Sequence, residues 1–86
     1  MTFSLQPNHP NPFPGNTTIR YHLRMAGTVE LLVYDMLGRK IEAIVDGFQL
    51  PGEYDVTWNA EGTKPGIYFC EMKMDGHTQI IKMVKQ

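Results

Sequence analysis

The chain has 86 residues, of which 42% are hydrophobic, and 8 basic residues nearly balance 9 acidic ones for a formal net charge of −1. This length supports one domain with a single thin core, and the apolar fraction is that of a folded chain rather than a disordered one. The charge balance provides no basic surface for nucleic acid, and no apolar run is long enough to span a membrane.

The proline-rich opening segment, PNHPNPFPGNTTI at residues 7–19, holds four of the six prolines. Proline fixes φ and pushes the preceding residue out of the helical region, so residues 6–14 are predicted to be extended and close to polyproline II. The simplest interpretation is a stiff lead that covers an edge strand, with Phe13 as its anchor in the core. An interdomain linker and a PxxP ligand for a proline-reading partner are the alternatives.

After this lead, short alternating apolar runs are separated by turn signals, which is the pattern of a β-sandwich or barrel. One run, residues 28–34, is apolar on both faces and is predicted to be a central strand. Counting the lead, about seven strands are expected, which predicts a small immunoglobulin-like antiparallel β-sandwich without significant helix. The predicted strands lie at residues 17–24, 28–34, 39–45, 54–58, 67–74 and 77–85, with loops at 46–52 and 59–66.

Two turns have clear sequence signals. Gly38, inside the turn at residues 35–39, is expected to supply the positive φ of a tight hairpin. Asp75 and Gly76 separate two β-rich runs, which is the strongest short signal for a type I′ hairpin.

Side chains that could take part in catalysis or metal binding are scattered along the chain. His9, His22 and His77 lack the spacing of metal ligands, and Cys70 alternates with the apolar residues Tyr68 and Met72, as an inert buried thiol would. The nine acidic residues show no paired-carboxylate pattern. The sequence therefore predicts no catalytic residue, no metal site and no cofactor.

Four motifs occur in order along the chain: FSLQPNHPNPFPGNTTI (3–19), VYDMLGRKI (33–41), PGEYDVTWN (51–59) and KPGIYFCEM (64–72), followed by the basic ending QIIKMVKQ (79–86). This ordered set resembles the C-terminal sorting domain, type A, of the type IX (Por) secretion system, an immunoglobulin-like module that ends many exported Bacteroidetes-type proteins. The opening departs from the family pattern at Pro7, His9 and the pair Pro14-Gly15. Related modules in flagellar hook-capping proteins share the Y-D-x-x-G motif.

The resemblance implies one sorting domain over residues 1–86, with a lead at 1–16 and a sandwich at 17–86, forming the C-terminal part of a larger exported protein. Such a domain is not an enzyme, although the passenger upstream of it is expected to be one, a hydrolase. The implied partners are the outer-membrane secretion machinery and a surface-processing peptidase. The implied location is the periplasm in transit, and then the cell surface or the medium.

The final hairpin is expected to carry partner recognition, by strand addition at an exposed last strand with added charge complementarity. The residues assigned to this role are Gly66, Tyr68, Lys82, Val84 and Lys85. A second set matches the family motifs and is expected to be structural: Pro10, Asn11, Pro12, Phe13, Asp35, Gly38 and Arg39.

Two other functions remain open from the sequence. An accessory module of a secreted hydrolase would pack on a neighbouring domain or bind carbohydrate, and carbohydrate binding requires exposed, coplanar rings among Tyr21, Tyr34, Tyr54, Trp58 and Tyr68. A zinc or redox enzyme requires His22, His77 and Cys70 to converge.

Overall fold

The computed structural model describes residues 2–86, and these form an all-β fold in which none of them is helical. Hence no membrane-spanning helix occurs in this range. Seven strands pair only in antiparallel fashion. They are β1 (Phe3–Leu5), β2 (Asn16–Leu23), β3 (Gly27–Asp35), β4 (Lys40–Gln49), β5 (Gly52–Asn59), β6 (Gly66–Met74) and β7 (His77–Lys85).

The strands form two sheets, one with the order β1-β2-β5 and one with the order β4-β3-β6-β7. These orders correspond to strands A-B-E and C′-C-F-G of immunoglobulin-like sandwiches. The predicted small β-sandwich is therefore confirmed. The strand β3, predicted to be central, lies between β4 and β6, and Leu32 on its outer face is also buried.

The core follows from the alternation of apolar residues along each strand. The largest fully buried side chain is Trp58, and its ring makes edge-to-face contacts with Phe13 and Tyr68 at centroid distances of 5.7 Å and 5.2 Å. Strand β2 buries every second residue from Thr17 to Leu23, and β6 does the same from Tyr68 to Met74. Each inner face thus contributes one layer of the core.

The loop predicted at residues 46–52, between β4 and β5, was wrong at both ends. Residues 46–52 do not form a loop, because the strand runs on to Gln49 and only Leu50 and Pro51 connect it to β5 in the other sheet. Asp46 and Gly47 favour turns locally, but here they pair with Glu30 and Val29 of the central strand. Cross-strand pairing therefore overrides the local preference.

Strand β4 also breaks the predicted alternation of Ile41, Ala43 and Val45. Two register shifts against β3 leave Ile44 and Ile41 without a paired residue, which are β-bulges. As a result Ile41 and Ala43 are exposed, whereas Ile44 and Val45 pack against the core.

Both predicted turn signals are confirmed by the backbone angles. Gly38 has a φ of 80°, and the pair Asp75 and Gly76 has φ values of 52° and 76°, as a type I′ hairpin requires.

The lead joins the two sheets instead of forming one polyproline II segment. Strand β1 lies at its start, the His9–Pro10 and Asn11–Pro12 peptide bonds are cis, and His9 pairs antiparallel with Thr18 of β2. Phe13 then pairs in parallel with Lys85 of β7. The lead therefore covers an edge strand, β7, as predicted, and it also continues the pairing of β1 along β2 in the other sheet.

Phe13 is fully buried, so removing its side chain is expected to destabilise the fold strongly. Phe13→Ala should lower the free energy of unfolding by about 3–5 kcal/mol, since the ring leaves a cavity against Trp58. Urea unfolding followed by tryptophan fluorescence measures the change. The matched control is Phe48→Ala, at a ring that is 68% exposed, which should shift stability by less than about 0.5 kcal/mol. Equal losses in the two variants would contradict the anchoring role.

Candidate interaction site at the final hairpin

The lead occupies the outer edge of the last part of β7. The Phe13 backbone N–H donates to the Val84 carbonyl at 3.0 Å, and the Gln86 N–H donates to the Phe13 carbonyl at 2.9 Å. The Asn11 side chain continues the ladder, because its Oδ1 accepts from the Val84 N–H at 2.9 Å and its Nδ2 donates to the Lys82 carbonyl at 3.3 Å. The amide of Asn11 thus acts as one more backbone unit on this edge.

A small buried network holds the lead in this position. Asn8 Nδ2 donates to Thr17 Oγ1 at 3.0 Å and to the Pro10 carbonyl at 3.3 Å, and Thr17 Oγ1 donates to the same carbonyl at 2.8 Å. Asn8 and Thr17 are both buried. Three residues of the opening motif, Asn8, Asn11 and Phe13, therefore bind the lead to β2 and β7.

Gly66 and Tyr68 form a tyrosine corner at the start of β6. The Tyr68 hydroxyl donates to the Lys64 carbonyl four residues upstream at 2.6 Å, and its ring packs on Trp58. This is the feature that immunoglobulin-like domains place at the start of strand F. Gly66 has a φ of 148°, a conformation that favours glycine. The G-x-Y motif is thus explained by local folding.

Lys85 lies inside the fold. It is 8% exposed, and its Nζ donates to the carbonyls of Ala60 and Thr63 and to Thr63 Oγ1 at 3.2 Å. Its ammonium therefore binds the β5–β6 loop and does not supply charge to the surface. Lys82, by contrast, is exposed, and its side chain forms no ion pair with any residue in the range 2–86.

The five residues assigned to recognition are close in the fold but not equally accessible. Gly66 and Lys82 are exposed, Val84 is half-buried with its backbone bound to the lead, and Tyr68 and Lys85 are buried. The last strand is thus exposed only along part of its edge. A recognition role for these residues stays a prediction. Of the two lysines among them, only Lys82 is exposed to a partner at the surface.

The turn between β3 and β4 is organised by the Asp35 carboxylate. Asp35 Oδ1 accepts from the backbone N–H groups of Leu37 and Arg39 at 2.9 Å and 3.0 Å, and Oδ2 accepts from Arg39 Nε at 2.8 Å. These hydrogen bonds, led by that from the Arg39 N–H, hold the pKa of Asp35 below its ordinary value. Asp35, Gly38 and Arg39 therefore form a local structural unit.

Gln79 was not singled out by the sequence analysis. Its Oε1 accepts from the Leu5 N–H at 2.7 Å and its Nε2 donates to the Phe3 carbonyl at 3.2 Å, so one side chain caps the outer edge of β1. The available signal was its phase, because Gln79 shares the inner face of β7 with Ile81 and Met83. A polar residue in such a position needs a buried partner.

The structure does not bring together the residues of the two alternative functions. Of the five rings considered for carbohydrate binding none is exposed, and Tyr54 stacks at 5.2 Å on buried Tyr21. Burial raises the pKa of the Cys70 thiol to about 12, so it is a poor nucleophile. Within residues 2–86 no group of three or more histidine, cysteine or acidic side chains is placed to hold a metal ion.

The fold and the hairpin define a small immunoglobulin-like β-module whose polar motif residues serve its own edges and turns. A protein-family model described as the secretion system C-terminal sorting domain matches residues 9–86. The chain belongs to this family, and its role is that of a sorting signal for type IX secretion. Among curated proteins no significant relative is found.

The Asp35 carboxylate predicts an acid-sensitive stability. Because its pKa is lower in the folded state than the ordinary 3.8, it stabilises the fold above about pH 4, and this contribution is lost as the pH falls through the folded-state pKa. Melting temperatures between pH 2 and pH 6 should show a smaller acid-induced drop for Asp35→Asn than for the parent. The control Asp46→Asn removes an exposed carboxylate and should keep the parental drop.

The buried position of Lys85 predicts a stability role that is separable from recognition. Lys85→Met keeps the length of the side chain but leaves the loop carbonyls without their donor, which should lower the free energy of unfolding by about 2 kcal/mol. Lys82→Met, at the exposed lysine, should change it by less than about 0.5 kcal/mol. Chemical denaturation of both variants checks this, and an unchanged Lys85→Met would show that the ammonium is not part of the fold.

Proposed function

We propose that this chain is a non-catalytic sorting module that directs an exported passenger protein through the outer membrane to the cell surface. The observation that carries the proposal is the family match over residues 9–86. In this proposal the folded β-sandwich itself is the signal, and the outer-membrane secretion machinery recognises it by protein–protein contact.

The rigidity of the final hairpin supports recognition of a folded module. Its start is set by the Tyr68 corner, its turn by Asp75 and Gly76, and its outer end by the lead. A surface that is already ordered loses little conformational entropy on binding. The hairpin is therefore a suitable recognition element, with Lys82 as an exposed charge on β7.

The surface peptidase is proposed to cut on the amino side of β1. The Thr2 carbonyl accepts from the Arg24 N–H at 2.9 Å, and residues 3–5 pair with β2. Proteases require an extended, unpaired segment in their cleft, so residues 2–6, which pair with β2, are protected. Removal of the module would then release it as one folded unit.

The experiment is a transplantation of the module. Residues 1–86 are fused behind a signal peptide and a folded fluorescent reporter in a host with type IX secretion, and the surface fraction is measured by antibody labelling of intact cells. We expect the reporter at the surface with the module and in the periplasm without it. A reporter that stays in the periplasm despite an intact fusion would refute the proposal.

A further inference from the structure

The four outer edges of the two sheets are not protected equally. The edge of β1 is capped by the Gln79 side chain, β4 carries two bulges, and β5 presents the charges of Glu53 and Asp55. Bulges, charges and covering segments are the devices by which natural sheets prevent unwanted strand pairing. The first part of β7, residues 77–81, lacks these devices. It contains no aspartate, glutamate, lysine or arginine, no proline or glycine, and no bulge.

The open part of β7 also has free backbone groups. Alternate residues of an edge strand direct both their N–H and C=O groups away from the neighbouring strand. The lead binds this outward set at Lys82, Val84 and Gln86, so Thr78 and Ile80 belong to the same set. Within residues 2–86, none of the hydrogen bonds formed outside the strand ladders reaches the backbone of Thr78 or Ile80.

The outer face beside this edge offers an apolar contact. Ile80 is 58% exposed and borders a shallow groove of about 530 Å³ whose apolar lining includes Tyr34, Phe69 and Met36. A side chain placed opposite Ile80 in an added strand would share this face and pack on it. Lys82, exposed and without an ion pair in the described chain, lies at the end of the same stretch.

We propose that the edge of β7 from Thr78 to Lys82 is the docking site for an extended peptide segment of the secretion machinery, which adds a fifth strand to the β4-β3-β6-β7 sheet. The argument for this occupant is continuity, because the lead already uses the rest of the same edge as a parallel strand partner. The inference rests on the proposed function and narrows its recognition element to five residues.

The edge also specifies the chemistry of the partner. A segment of about five residues, roughly 17 Å long, fills the open stretch up to Asn11. It requires a β-branched or aromatic residue opposite Ile80 and an acidic residue next to Lys82, whose ammonium lacks an internal partner. Main-chain hydrogen bonds supply the affinity and these two side chains the specificity.

The test uses the reporter fusion with single substitutions on this edge. Ile80→Pro and Thr78→Pro each remove one outward N–H, which an edge strand tolerates, and Ile80→Lys places a charge on the edge. The matched control is Ile41→Lys, the same exchange at an exposed position of β4, the opposite edge of the same sheet. We expect the surface fraction to fall at least tenfold in the three edge variants and to stay within twofold of the parent in the control.

Each result has a distinct meaning. The melting temperatures of the purified variants are measured first, and export is compared only for variants that melt within about 5 °C of the parent. One proline variant that meets this criterion is enough for the test. Proline variants that are exported within twofold of the parent overturn strand addition, even if Ile80→Lys is impaired, because the backbone donors are then not needed. If the parental fusion itself is not exported, it is the proposed function that fails.

Discussion

The seating of Phe13 between the sheets is the interaction on which the rest of the structure depends. Its ring contacts Trp58 in the core, while its backbone bonds to Val84 and Gln86 at the edge of β7. A single residue of the lead therefore contributes to both the core and the sheet edge. With it in place, Asn11 reaches the carbonyl of Lys82, and on the same side of the sandwich the Gln79 side chain of β7 accepts from the backbone N–H of Leu5 in β1.

The family motifs acquire physical meaning from this arrangement. The opening motif supplies Asn8, Asn11 and Phe13 to bind the lead, and the G-x-Y motif supplies a tyrosine corner. The D-x-x-G-R motif supplies a carboxylate that bonds its own turn. In this chain these motif residues thus hold the lead, the start of β6 and the β3–β4 turn in place.

The sequence was sufficient for features set by local chemistry. Alternation predicted six of the seven strands, the apolar character of both faces predicted the central place of β3, and the Asp-Gly pair predicted the last hairpin. Features set by distant partners were missed, because local preference carries no information about them. Gly47 was predicted to lie in a loop, but it pairs with Val29 of β3. Lys85 was predicted to supply surface charge, but its ammonium binds the β5–β6 loop. The edge cap by Gln79 likewise joins residues more than seventy positions apart.

The contact between the lead and β7 also sets the order in which parts of the module can fold. Asn11 and Val84 are separated by 73 positions, so the lead has no edge to bind until β7 has been made. A polypeptide shortened before β7 lacks both this strand and the place where the lead docks. The sandwich is therefore closed along this edge only in a polypeptide that contains both the lead and β7.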